Sequence, residues 1–267
     1  MKKRNLSLYV FYVMLALGMI EELSDDVITG CKNMDVLLKK HVIFFLCALM
    51  LLSYLVPFAL FIVHLCKKWQ VPKKLAVICF GSGWMIPGWI CGDLNDATEA
   101  LIKHSNALIN NVVGAFEPAL IEETLKVLLV FWILFLWGKF IKKNIFVAGM
   151  SVGLGFQLGE DLNYIVDTIT HHVTSAFKET ILDRLSSCLI SHTMYTAVMA
   201  MGIYEIVIAH HYKKGIGCII VAICVHALFD SMFYGALFIA LEGGLLLLVF
   251  DALYHETDQS TLLKKVA

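Results

Sequence analysis

The chain has 267 residues, 59% of them hydrophobic and 16% charged, with a net charge of −1. Soluble domains are roughly half apolar and about a quarter charged, so this composition excludes a soluble globular domain and places the chain in a lipid bilayer. The near-neutral balance, without a Lys/Arg tract or a basic aromatic patch, excludes a nucleic-acid partner.

A bilayer span takes about 20 mostly apolar residues. The opening MKKRNLSLYVFYVMLALGMIEELSDD starts positive like a signal peptide, but no small-x-small cleavage site precedes its acidic stretch. It therefore reads as a retained first span over 5–20. Further spans are expected over 41–66, 75–91, 116–137, 145–166, 187–210, 215–234 and 235–254, the third being short and the last pair joined tightly near Gly235. GSGWMIPGWICGD, at the end of the third, suits a kinked or re-entrant segment. Small residues in GMSVGLG, in the fifth, would let helices pack closely. The outer connections 21–40, 92–115 and 167–186 are long enough to carry short interfacial helices. Without an internal repeat, linker or low-complexity tail, the expectation is one all-α integral domain over 1–267, a polytopic membrane helix bundle of about eight transmembrane helices.

Cytoplasmic loops carry excess Lys and Arg. Of the 21 such residues, 14 fall on one side, in the N-terminal KKR, the connections holding Lys67 to Lys74, Lys139 to Lys143 and Lys213 with Lys214, and the C-terminal Lys264 and Lys265. Six fall on the other side and Lys126 is the remaining one. Both termini are therefore predicted cytoplasmic, in a multi-pass protein of the plasma membrane.

Lys126 belongs to EPALIEETLKVLLVFWILFLW (117–137), the fourth span, where Glu122 and Glu123 accompany it. The fifth span carries Glu160 and Asp161, the sixth His192, and the seventh His226 and Asp230. With spans alternating in direction, Glu122 lies about 9 Å in from the outer surface at 1.5 Å per residue. Glu160 falls near the outer end of its helix, and His192 one and a half turns inside its own. His226 falls just past the middle of the seventh span, with Asp230 above it. Four segments thus put ionisable groups into one outer layer of the bilayer. A single Asp, Lys or Arg at a span centre costs about 2.5–3.5 kcal/mol, and such groups face a bundle interior or aqueous cavity.

Glu122 and Lys126 are i,i+4 neighbours in the favourable order for an ion pair. At the same spacing, Asp230 can fix the tautomer of His226. Glu123, about 100° around the helix from Glu122, is left over as the candidate general base. Asp161 is expected to cap the helix or face water.

Two chemistries fit. In one, a glutamate activates water while histidines donate hydrogen bonds to the developing oxyanion. In the other, His192, His226 and one or more carboxylates, Glu160 among them, hold a divalent metal that activates the water; nitrogen and oxygen ligands without thiolate suit Zn2+. The 8 cysteines, scattered mostly in apolar runs without a CxxC pair, read as small buried hydrophobes. Two other functions compete. Intramembrane Asp, Glu and His also mark proton-coupled transporters, although duplicated halves are absent here. A non-catalytic membrane scaffold would need none of these groups.

EETLK (Glu122, Glu123, Lys126) matches EExxK, FQLGE (Phe156 to Glu160) matches FxxxE, and HALFD (His226 to Asp230) matches HxxxD, with His192 between the last two. In that order on successive spans, over about residues 114–235, they resemble the PrsW family of bacterial intramembrane proteases, relatives of the CAAX prenyl endopeptidases. Gln157 stands where an alanine is common in that family. The resemblance implies a multi-pass endopeptidase making a first, outward-side cut in a membrane-anchored single-pass protein, anti-sigma factors being the best-known substrate class. It implies Glu122, Glu123, Glu160, His192 and His226 in the active site, supported by Lys126, Phe156 and Asp230. It leaves open whether glutamate or metal activates the water.

Overall fold

A computed structural model describes residues 2–21, 37–171, 191–231 and 236–266. The expected connections 21–40 and 167–186, residues 187–190 of the sixth span, and the join near Gly235 lie wholly or largely outside the described residues. The described elements are all helices: α1 (Lys2–Glu21), α2 (Leu37–Trp69), α3 (Lys73–Met85), α4 (Pro87–Ile102), α5 (Ala107–Trp137), α6 (Lys142–His171), α7 (His192–Val207), α8 (Tyr212–Phe229) and α9 (Ala236–Val266). Among the described residues, three stretches are long and apolar enough to cross a membrane: Leu51–Trp69, Lys73–Ile102 across the α3–α4 junction, and Tyr212–Phe229. The protein is an all-α membrane helix bundle.

Local chemistry sets the boundaries. Asn106 caps α5 by accepting the Ile109 N–H at 2.9 Å, satisfying one of the donors a helix start leaves open. Gly138, at φ 81°, ends the same helix in the left-handed conformation that glycine adopts without strain. The expected kink in the third span is a break at Ile86 (φ −107°, ψ −51°), where Pro87 starts α4 with no N–H to offer α3. The third span is therefore not short. Past the break it continues as α4 through what was expected to be loop, to Ile102.

At the centre lie α6 and α7. Nearly every residue of α7 from His192 to Gly202 is buried, as befits a helix apolar all round. Its approach to α6 is set by Gly149 and Gly153, where an added Cβ would run into the α7 backbone at Ala197 and His192. On the opposite face of α6, Gly155 meets the Phe80 carbonyl of α3, and Gly83 of α3 meets the Val152 backbone. The GMSVGLG stripe thus clamps α6 between α3 and α7.

One end of the bundle is tied by charge. Lys142 contacts Glu205 at 3.0 Å and Glu256 at 2.8 Å. Lys214 reaches Glu205 at 3.2 Å and also pairs with Glu256. Lys68 meets Asp258 at 2.9 Å. The indole of Trp69 donates to Asp258 at 2.8 Å, which together with Lys68 holds that carboxylate below its ordinary pKa. Glu205 is buried beneath these cations. The Arg4 guanidinium hydrogen-bonds the Leu136 carbonyl beside Lys139, so the Lys-rich connections, the start of α1 and the late part of α9 gather at ion-paired helix ends.

The glycine contacts predict a change of sign between two similar substitutions. Gly153→Ala should lower stability by about 1–3 kcal/mol or more through overpacking. Gly217→Ala, whose Cβ meets nothing within 4 Å, should raise it by about 0.5–1 kcal/mol through helix propensity. Thermal unfolding in detergent compares the two.

Candidate active site

Three helices converge on one ammonium. Lys126 of α5 is fully buried, with Nζ 2.6 Å from Glu123 Oε1 and 3.4 Å from Glu122 Oε2. It lies 2.7 Å from His192 Nδ1 of α7 and 3.9 Å from the Phe156 ring centre of α6. An ammonium has only donors, so this short contact makes His192 Nδ1 the acceptor and leaves the ring hydrogen on Nε2. That nitrogen faces Glu160 Oε2 of α6 at 3.1 Å. The longer approach of Glu123 Oε1 to the same Nδ1, 3.5 Å, does not compete with it.

The expected Glu122–Lys126 pair is present at 3.4 Å, but it is not the tighter of the two. Lys126 sits closer to Glu123 at i,i+3 than to Glu122 at i,i+4. Glu123 is fully buried and takes a second hydrogen bond, 3.0 Å, from the Thr196 hydroxyl. Glu122 is the carboxylate that turns towards open space. Thr196 was not singled out in the sequence; its signal is the i,i+4 spacing from His192 in HTMYT, which puts both on one face of α7.

His226 of α8 completes the cluster. Its Nε2 is 3.3 Å from Asp230 Oδ2 and 3.8 Å from Glu122 Oε2. Tyr195 stacks on its ring at 4.8 Å and 9°. His226 Nδ1 lies 3.2 Å from Glu123 Oε1, yet off the line of a hydrogen bond, so it is a buried nitrogen without a hydrogen-bond partner.

Four expected placements change. His192 opens α7 after Ser191, whose extended backbone (φ −135°, ψ 174°) starts the helix there. The histidine therefore stands at a helix N-terminus, where the positive end of the dipole meets carboxylates. Glu160 lies well inside α6, which runs on to His171. Asp161 does not face water: it is fully buried, accepting the Tyr54 hydroxyl at 2.6 Å and the Gln157 amide at 3.1 Å. Those two partners satisfy the carboxylate beside Glu160 and let the helix continue through both acids. Asp230 caps the C-terminus of α8, placing His226 in its last turn and not near its middle.

Glu122, His192 and His226, all buried, each offer a ligand atom, and these lie within 4.8 Å of one another. Glu122 Oε2 is 3.9 Å from His192 Nδ1 and 3.8 Å from His226 Nε2. Zinc bonds of about 2.0–2.2 Å at a tetrahedral centre bring ligand atoms to roughly 3.3 Å, so a modest convergence would suffice. Two imidazoles and a carboxylate are a catalytic zinc set. The group has Glu122 where the sequence suggested Glu160. Lys126 draws on two of the same atoms.

A family model described as PrsW family intramembrane metalloprotease matches residues 71–254. The chain belongs to the PrsW family. The match reaches beyond the motif-bearing 114–235, taking in α3, α4 and much of α9. No curated protein and no solved structure is significantly similar to the chain. Membership makes it an intramembrane protease, and its Glu/His/His group can hold the metal the family description names, zinc being suited to it.

The ion pairing predicts the effect of removing the ammonium. In metal-free protein, Lys126→Met should destabilise by about 3–5 kcal/mol, because it leaves buried carboxylate unpaired. Adding Glu123→Gln to it should recover part of the loss. Thermal unfolding of the single and double variants in chelator-treated detergent solution measures both.

Proposed function

We propose that this PrsW-family protease makes an outward-side, site-1 type cut in a membrane-anchored single-pass protein, with anti-sigma factors as the expected substrate class. The observation that carries the reading is the convergence of Glu122, Glu123, Glu160, His192 and His226 from four helices around one buried cation. The gathering of Lys-rich connections at ion-paired helix ends supports a multi-pass bacterial plasma-membrane protein with both termini cytoplasmic. On that orientation, the carboxylate cluster lies in the outer half of the bilayer.

Roles follow from exposure and contact. Glu122, His192 and His226 are assigned the metal, and Asp230, 3.3 Å from His226 Nε2, a supporting place beside that ring. When bound, the ion supplies Lewis-acid polarisation of the scissile carbonyl. Glu160 is partly exposed and lies outside the ligand group, held at 3.1 Å by His192 Nε2. It is assigned the proton transfer, accepting a proton from the attacking water and delivering it to the departing amine nitrogen. Glu123 cannot meet a water in the cavity: it is wholly enclosed by Lys126 and Thr196. It serves as a positioning carboxylate for Lys126, and through Lys126 for His192.

Purified protein in detergent, offered a candidate single-pass substrate, tests this. Wild type should cleave, and a zinc chelator should stop it. Glu160→Gln should keep its metal by elemental analysis and lose about 10²–10⁴-fold in rate, whereas His226→Ala should lose the metal. Chelator-resistant cleavage would sink the metal assignment, and an active Glu160→Gln the proton-transfer assignment.

A further inference from the structure

Beside the carboxylates a cavity of about 180 Å³ opens, walled by Glu122, Phe156 and Glu160 on one side and by Trp84, Gly92 and Asn95 on the other. Its size decides its occupant. Sites for whole small-molecule ligands run to about 300–1,000 Å³, whereas a cavity of roughly 150 Å³ takes one benzene. This one therefore admits a single side chain and not a folded segment.

The lining chemistry narrows the choice. Trp84 and Phe156 give aromatic surface. Gly92, on α4, leaves its stretch of wall bare: a Cβ built there would meet nothing within 4 Å. The width of the cavity on that side is set by a missing side chain and not by packing. Glu122 and Glu160 face the cavity, and the exposed Asp93 and Asp96 flank Gly92 and Asn95 on α4. An acidic side chain would meet like charge from Glu122 and Glu160.

We infer that this cavity is the substrate side-chain subsite next to the scissile bond. It takes one uncharged side chain up to the size of a benzene ring and rejects Asp and Glu. Gly92 sets the size limit. The inference rests on the peptidase reading and assigns it a specificity. It also gives the broken third span a purpose, because α4 beyond the break supplies the wall opposite the carboxylates.

The test is a cleavage profile. The probe is a library of single-pass peptides, each with a Leu/Ala transmembrane segment preceded by a randomised juxtamembrane segment. It is digested in detergent and read by mass spectrometry. Wild type should cut beside uncharged residues up to Phe, with Asp and Glu depleted. Gly81→Leu, whose Cβ also meets nothing within 4 Å but lies away from the cavity, should keep that profile. Gly92→Leu should cut beside Ala or Gly within about threefold of wild type. Beside Phe or Leu it should lose at least about tenfold, within the range that pocket methylenes command. A Gly92→Leu enzyme that is active with the wild-type profile overturns the subsite and leaves the protease standing. If Gly92→Leu cuts nothing, Gly92→Ala decides: a shift towards smaller residues supports the subsite, and an unchanged or absent profile overturns it. Failure of metal-loaded wild type to cut any library member overturns the peptidase reading, and the subsite with it.

Discussion

The fully buried ammonium of Lys126 is the constraint around which the structure is arranged. A lone charge withdrawn from water costs several kcal/mol even after relaxation, and this one has no exposed surface. Its compensation comes from three helices at once: two carboxylates of α5, an imidazole nitrogen of α7 and a ring face of α6. Withdrawing α6 or α7 would leave the pair on α5 half satisfied. Burial of Lys126 and assembly of the site are thus one event, and the backbone must allow α6 and α7 to come close enough. Gly149 and Gly153 on one face of α6, and Gly155 with Gly83 on the other, give that approach.

The same closeness fixes the histidines. Gly153 lies against the backbone of His192, which holds the start of α7 at the level of Glu160 and Glu123. The imidazole is then held from both edges, by Lys126 at Nδ1 and by Glu160 at Nε2. On α8, His226 is set by Asp230 below its ring and Tyr195 across its face. Both rings are therefore oriented by neighbours whose positions depend on helix packing, so the geometry is established ahead of any ligand.

Much of this was legible in the chain because charge inside an apolar run is so rarely tolerated that its occurrence marks a site. The all-α class followed from the same apolar runs, and EETLK, FQLGE and HALFD carried the family. What escaped was whatever depends on a partner remote in sequence. Asp161 reads as a water-facing cap until Tyr54 is seen beneath it. Glu122 reads as the partner of Lys126 by i,i+4 spacing and is one at 3.4 Å, yet the ammonium lies closer to Glu123, which Thr196 holds from α7. The end of the third span reads as loop because Asp93, Asp96 and Glu99 break its hydropathy, although Pro87 restarts a helix that continues to Ile102. The first two are decided by contacts across the bundle, the third by the local restart at Pro87.

Charge balance connects the site to its metal. Glu122, Glu123, Glu160 and Asp230 bring four negative charges to the cluster, and Lys126 returns one positive charge. With neutral imidazoles, the sum is −4 + 1 = −3. Such an excess in a low-dielectric interior favours a further cation strongly, since unit charges about 4 Å apart interact by ~4 kcal/mol even at an effective dielectric of 20. A divalent ion would reduce the excess to −1 and would compete with Lys126 for Glu122 and His192. Glu123, closest to the ammonium and furthest from the cavity, lets Lys126 keep a partner when those two are shared. On this argument the paired glutamates divide the work: the inner one retains the lysine, and the outer one is free for a metal.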